Sequence, residues 1–272
     1  MNLIPPTFRA RQAGFSMIEL MIALLIGLFL LGGISIMVQD NKRTSSSQVA
    51  LSKLQDYERV AMTMLTDVIQ QGGYFPDPTS NSASTLFQPT NVLYGGSEYA
   101  SQVGFTTNGQ VIFGYHNVTS PINVLSSSDS IEVLFVTASG DGILNCFGQS
   151  NTTGANKSEA DYFFTFNGQL WCENEVPTAT PLVGDGYGSG ASNPVNITSM
   201  QILYGVNSTG TASNGVDTYK NAAQMTSADW SNLISVQVTL TFTNPLYSAS
   251  NPGQPATVSI SRVISVMNQT GI

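Results

Sequence analysis

The chain has 272 residues, of which 42% are hydrophobic and 10% charged, with 9 Lys plus Arg against 17 Asp plus Glu and a formal charge of −8. One globular domain with a non-globular appendage fits that length and composition, and so few cations leave little to grip a phosphate backbone. With a single histidine, His116, and two cysteines, Cys146 and Cys172, a zinc site of three or four His/Cys ligands cannot be assembled within one chain, and no cofactor is expected.

Residues 1–14, MNLIPPTFRARQAG, carry Arg9 and Arg11 and no acid, which predicts that this end stays in the cytoplasm. The run that follows, Phe15 to Val38, holds 24 residues. At about 1.5 Å per residue it measures roughly 36 Å as a helix, enough to cross a bilayer core of about 30 Å. An ordinary cleaved secretory signal is the competing interpretation. Its apolar core usually runs about 7–15 residues before a small-x-small cleavage site, which is not clean here. One ionisable residue, Glu19, interrupts the run. A carboxylate among lipid tails costs about 2.5–3.5 kcal/mol on insertion scales. Glu19 must therefore either stay wet near the headgroups or meet a partner.

The string Gly14-Phe15-Ser16-Met17-Ile18-Glu19, followed by LMIALLIGL, resembles the type III signal of type IV pilins and type II secretion pseudopilins. The resemblance implies that a prepilin peptidase cuts between Gly14 and Phe15, methylates the new amine of Phe15, and leaves the apolar helix on the mature protein. It also implies that Glu19, at the fifth mature position, pairs with the terminal amine of a neighbouring subunit during assembly. An ammonium and a carboxylate entering an apolar bundle together cost less than either alone, so such a pair fixes the axial register of an incoming subunit.

Beyond the polar stretch QDNKRTSSSQ, residues Leu54, Tyr57, Ala61, Leu65 and Val68 recur at spacings of 3, 4, 4 and 3, the period of an amphipathic helix. Gly72-Gly73 is a natural stop, since glycine takes the left-handed cap conformation readily. One helix from about Phe15 to about Gln71 would measure roughly 85 Å, with residues 15–38 in the membrane and residues 39–73 as its amphipathic half. Gly32-Gly33 is either a soft point as the subunit leaves the bilayer or, the preferred interpretation, a place for close helix packing.

From residue 74 to 272 the pattern changes to short strands separated by Gly, Asn, Ser and Pro clusters. In Leu233 to Phe242 apolar Ile234, Val236, Val238, Leu240 and Phe242 alternate with Ser235, Gln237, Thr239 and Thr241, as in a strand with one buried face. Met200, Ile202, Tyr204 and Val206 repeat the pattern, and Ile131 to Val136 suits a central strand. FFTFNGQLWC, residues 163–172, predicts a hairpin, because Asn-Gly accepts the positive φ of a type I′ turn. The expected fold class is α+β: a long N-terminal helix, its first half transmembrane, packed on an antiparallel β-sheet domain.

An exported domain also predicts a disulfide between Cys146 and Cys172, with two buried free thiols as the alternative. Closing that loop, with a sequence separation of 26, is worth about 3–4 kcal/mol in the chain-entropy model. The segments DVIQQGGYF, LNCFG, NGQLWCE, MQILYGV and DWSNLISVQVTL are similar to recurring segments of PilW-type minor pilins. Many members carry a further cysteine just after the first of these; this chain does not. The resemblance implies a bacterial inner-membrane prepilin, single-pass with its domain in the periplasm, later found at the pilus tip or in the filament. The partners it implies are the prepilin peptidase, other minor pilins and the major pilin, the inner-membrane assembly platform, membrane lipid and a large tip adhesin. Its implied role is to prime or cap filaments used in twitching motility. A GspJ-like pseudopilin of type II secretion and a pilus-displayed adhesion module are the alternatives.

No catalytic constellation accompanies these features. His116, in VIFGYHNV, has no nucleophile motif near it and is expected to be a partly exposed structural residue. Asp141, Asp161, Glu173, Glu175 and Asp185 have the ligand chemistry for calcium but not the loop spacing, so a solvated acidic face is expected. VGDGYGSGASN is expected to be a flexible surface loop. From residue 74 onward three cations face twelve acids, so no direct contact with nucleic acid is expected.

Overall fold

The computed structural model describes residues 14, 16–93, 102–117, 128–174, 179–190, 194–209, 215–248 and 253–266. The chain divides into two compact units, Met1–Gln48 and Val49–Ile272. One helix, α1 (Met17–Gln71), supplies structure to both.

In the first unit α1 is helical without interruption through Gly32-Gly33. Its large apolar side chains from Met17 to Val38 are exposed, and an 18-residue window within the helix has a mean hydropathy of 2.6 with none of it buried. A helix this apolar on every side has no polar face to turn to water, which is the composition of a bilayer-crossing segment.

The second unit begins on the same helix. Ala50, Leu54, Ala61, Met62, Leu65, Val68 and Ile69 are buried, a stripe produced by the i, i+3, i+4 spacing. The helix stops at Gly72-Gly73. Gly73 adopts φ 79° and its N–H donates to the Leu134 carbonyl at 2.9 Å, so the stop is also a docking point. A Cβ on Gly72 would lie 3.3 Å from Val133 Cγ1 and 3.4 Å from Ile112 Cδ1.

A short helix, α2 (Ala83–Leu86), is followed by a two-stranded hairpin of β1 (Thr90–Leu93) and β2 (Gln102–Phe105). A five-stranded antiparallel sheet then runs in chain order through β3 (Ile112–Tyr115), β4 (Ser130–Thr137), β5 (Lys157–Phe166), β6 (Gln169–Glu173) and β7 (Thr180–Val183). Every residue of β4 is buried, so both its faces are covered, as its continuous apolar run requires. Between β5 and β6, Asn167 and Gly168 take φ 49° and 77°, the paired positive angles of a type I′ turn.

The last sheet comprises β8 (Ile197–Val206), β9 (Thr218–Lys220), β10 (Leu233–Thr243) and β11 (Thr257–Ser265), with α3 (Ser227–Ser231) before β10, in spatial order β11-β10-β8-β9. Val236, Val238, Leu240 and Phe242 of β10 are buried, while on its outer face Thr239 donates to Ser261 at 3.0 Å and Thr241 meets Ser259 at 2.9 Å. Arg262 of β11 donates to Thr66 of α1 at 3.1 Å. The chain just before β4 joins the two sheets: Asp129 accepts from the Ile202 N–H at 2.7 Å, and Ser128 Oγ accepts from the Met200 N–H at 3.0 Å. The fold is therefore α+β, with a long N-terminal helix on antiparallel sheet. The expected antiparallel sheet is two main sheets and a hairpin.

Candidate functional site

Two places in the fold carry the residues singled out by sequence. The first is the start of α1. Gly14 is exposed, Glu19 is exposed in the first turn, and the Glu19 N–H donates to the Ser16 carbonyl at 3.0 Å. An acid in the first turn is favoured by the helix dipole. Around it Met17, Ile18, Leu20, Met21 and Ile22 are all exposed. The carboxylate thus sits on a surface otherwise suited only to lipid or to other apolar helices. Phe15 lies outside the described residues.

The second is a cluster of acids on the five-stranded sheet. Cys146 and Cys172 form a disulfide with Cα atoms 6.5 Å apart. Beside it Asp161 is fully buried, and its Oδ2 accepts from the Cys146 N–H at 2.8 Å. Burial pushes its carboxyl up to about 7, aided by the Glu159 charge and opposed by the Cys146 N–H and Lys157. Lys157 and Glu159 pair at 2.6 Å. In another cross-strand row, Glu132 of β4 and Glu173 of β6 both face Tyr162 of β5, and both are buried. Burial raises Glu132 well above the ordinary carboxylate range and Glu173 to about 7. Neither Glu132 oxygen has a hydrogen-bond partner among the described residues.

The expected solvated acidic face is therefore corrected for Asp161 and Glu173, which are interior groups. Asp141 is exposed and accepts from the Ala138 and Ile143 N–H groups, holding a turn. Glu175 lies outside the described residues. Asp185 is largely enclosed and binds Lys53, the Tyr57 hydroxyl at 3.0 Å and the Val195 N–H at 2.8 Å. Burial raises its carboxyl, but Lys53 and these donors outweigh that and hold it below the ordinary range. The glycine loop is thus tied to α1 through Asp185, and Gly184, Gly186, Gly188 and Gly190 all take positive φ. Residues 191–193 of the loop are outside the described set.

Among the described residues one group has metal-ligand geometry, Cys146, Asp161 and Cys172. Its sulfurs are bonded to each other, and it is the thiolate that ligates metal. His116 follows β3, partly exposed, with Nδ1 2.8 Å from Asp129 Oδ1 and Nε2 3.0 Å from Asn117 Nδ2. No nucleophile is among these partners.

A long apolar helix led by a Gly-x-x-x-x-Glu segment and carried into an antiparallel β domain defines a type IV pilin-like protein. Residues 9–35 match the model of the prokaryotic N-terminal methylation motif. This motif implies processing by a prepilin peptidase and assembly with other pilins. Residues 156–266 match the family described as type IV pilus-assembly protein W. Over these two segments the chain is similar to type IV pilus minor pilins of the PilW family. Among solved structures, it is similar to the type IV-like pilin TTHA1219 from Thermus thermophilus, at 13% identity and a TM-score of 0.40, covering 80% of this chain and 98% of that one. No curated protein sequence matches the chain significantly.

Proposed function

We propose that this minor pilin primes or caps type IV pilus assembly through helix packing and a charge pair between Glu19 and the N-terminal amine of a neighbouring subunit. The observation that carries the reading is the exposed acid in the first turn of α1, ringed by exposed apolar side chains. A membrane tolerates that carboxylate only at a cost, and a bundle of like helices removes the cost when each helix brings its own amine.

In this reading residues 1–14 are the leader, removed between Gly14 and Phe15, and Phe15 is the methylated residue. Residues 15–38 hold the subunit in the inner membrane, residues 39–73 are the amphipathic half of the helix, and residues 74–272 form the periplasmic domain. On assembly the apolar helix exchanges lipid for the helices of other minor pilins and the major pilin. The assembly platform drives that exchange, and the β domain makes lateral contacts that, at a tip position, seat a large adhesin. Cleavage and methylation are the peptidase's chemistry, and assembly by packing asks no catalysis of this chain.

Mass spectrometry of the mature protein is expected to find methylated Phe15 at the N terminus. A terminus within residues 30–45 would instead mean ordinary secretion. Deletion of the gene is expected to abolish twitching and leave enzyme export intact. The opposite pattern would assign the chain to type II secretion.

A further inference from the structure

The two cysteines of the disulfide have different surroundings. Cys146 lines a cleft of about 380 Å³, together with Asp67, Val68 and Gln71 of α1 and Leu144 of its own β4–β5 loop. Cys172 is fully enclosed, and Cys146 nearly so at 4% exposure. A carboxylate oxygen of Asp161 and both sulfurs lie within 4.8 Å of one another. Asp161 is held in place by the Cys146 N–H through Oδ2, while Oδ1 is buried with no hydrogen-bond partner among the described residues. Strand register explains the placement. Phe163 is the cross-strand partner of Cys172, and Asp161 is two residues before it, on the same face of β5.

Thiol–disulfide exchange depends on access to one sulfur and on how easily the other leaves. A thiolate released into an enclosed site is costly unless it is protonated as it forms. We propose that the Cys146–Cys172 bond opens and closes by exchange entering through the cleft at Cys146, with the Asp161 carboxyl giving Cys172 its proton and taking it back.

On opening, one thiolate of an external dithiol attacks Cys146 Sγ. The Cys146–Cys172 bond breaks, its electron pair moves to Cys172 Sγ, and the Asp161 proton follows it. This leaves a mixed disulfide on Cys146 and a carboxylate on Asp161. The second thiol of the dithiol loses its proton to solvent and attacks its own sulfur partner. Cys146 leaves as a thiolate, and the dithiol is oxidised by two electrons to a disulfide. Closing begins with attack of the Cys146 thiolate on an external disulfide. Asp161 then takes the Cys172 proton as Cys172 Sγ displaces the reagent from Cys146.

Among the described residues the charges that act on Asp161 are Lys157 and Glu159 on its own strand, paired to each other, while Asp67 of α1 lines the cleft at Cys146. Burial keeps Asp161 protonated up to about 7, so the acid form is available at neutral pH.

The full-length protein in detergent tests this by its rate of reduction with dithiothreitol between pH 5.5 and 8.5. The reductant's thiolate fraction rises tenfold per pH unit over most of that range. The wild-type rate is expected to follow that rise to about pH 7 and then flatten, because the acid form of Asp161 disappears as the thiolate appears. Asp161→Asn, which keeps an oxygen for the Cys146 N–H, is expected to be at least tenfold slower at pH 6 and to rise tenfold per unit throughout. A merely structural role would displace the whole profile and leave the break in place. Two results overturn the proposal, each in wild type alone: a profile without a break near pH 7, or a glutathione adduct that mass spectrometry maps to Cys172 rather than Cys146.

Discussion

Gly114 of β3 lies where the two sheets close on each other, and replacing it by alanine probes that junction. A Cβ there would fall 1.8 Å from Tyr204 Oη, 2.8 Å from its Cζ and 3.0 Å from the Ser130 carbonyl oxygen. Tyr204 has no room to retreat: it is fully buried, with its ring edge-on to Trp230 at 4.8 Å. Overpacking a tight core costs about 1–3 kcal/mol. A clash with a ring and a main-chain oxygen together belongs at the top of that range, about 3 kcal/mol. For a unit of this size each kcal/mol lowers Tm by about 2–4 °C, so a drop of roughly 6–12 °C is expected by near-UV circular dichroism. Tyr204→Phe removes a buried hydroxyl that has no hydrogen-bond partner among the described residues, so alone it should change stability by less than about 1 kcal/mol. Combined with Gly114→Ala it should recover about half the loss, since the Cζ and Ser130 contacts persist. Gly114→Ala melting within 2 °C of wild type, or a double variant no better than the single, would refute this packing.

The buried acids set a pH dependence of definite sign. Glu132, Asp161 and Glu173 have native pKa values raised by burial. Their contribution to stability is therefore full below the unfolded value of about 4 and is lost, for Asp161 and Glu173, as pH rises through about 7, with Glu132 shifted in the same direction. The urea midpoint should fall between pH 5 and 8, and Glu173→Gln should flatten that fall; a midpoint that climbs over this range would contradict the burial of these groups. Asp185 works in the opposite direction, since its native pKa is depressed. Its support is present above about 3.9 and disappears as pH falls through the native value. Lys53→Met should cost about 1 kcal/mol in urea at pH 7, a modest figure because Lys53 is 37% exposed. It should also move the Asp185 carboxyl upward in an NMR titration, and an unmoved Asp185 would count against the pair. Changing both cysteines to serine should cost about 2–5 kcal/mol by the same urea assay; an unchanged midpoint would remove the disulfide from the stability of the fold.

Much of the fold was legible because alternation and helical period carry the burial information directly. From Val236 to Phe242 the alternation becomes β10 with one buried face, whereas a register shift between Leu233 and Ser235 buries Ser235 and leaves Ile234 half-buried, against the alternation, and Asn167-Gly168 announces its turn. The stop at Gly72-Gly73 follows from the same local chemistry. What was not legible is tertiary. Glu159 and Asp161 alternate with Ala160 and Tyr162, which in a one-sided strand would turn the acids outward. Because β5 is covered on both faces along most of its length, the alternation divides two interiors, and Asp161 is enclosed. No local signal in the sequence marks that second cover. Asp185 is similar: its partner Lys53 is 132 residues away in the chain, and only the fold brings them together. Glu19 was found by its offset from Gly14, and its exposure amid apolar side chains fits the need for a counter-ion from another chain.

The central claim is that Glu19 recruits the subunit into a filament and does not anchor it in the membrane. The direct measurement is the amount of Glu19→Ala protein in the sheared pilus fraction relative to the inner membrane, with wild type expressed at the same level. On the proposed role the variant should reach the membrane and be processed to the same extent as wild type, yet be lost from the sheared fraction by at least tenfold, with filament number falling alongside. Wild-type incorporation of Glu19→Ala would contradict the account.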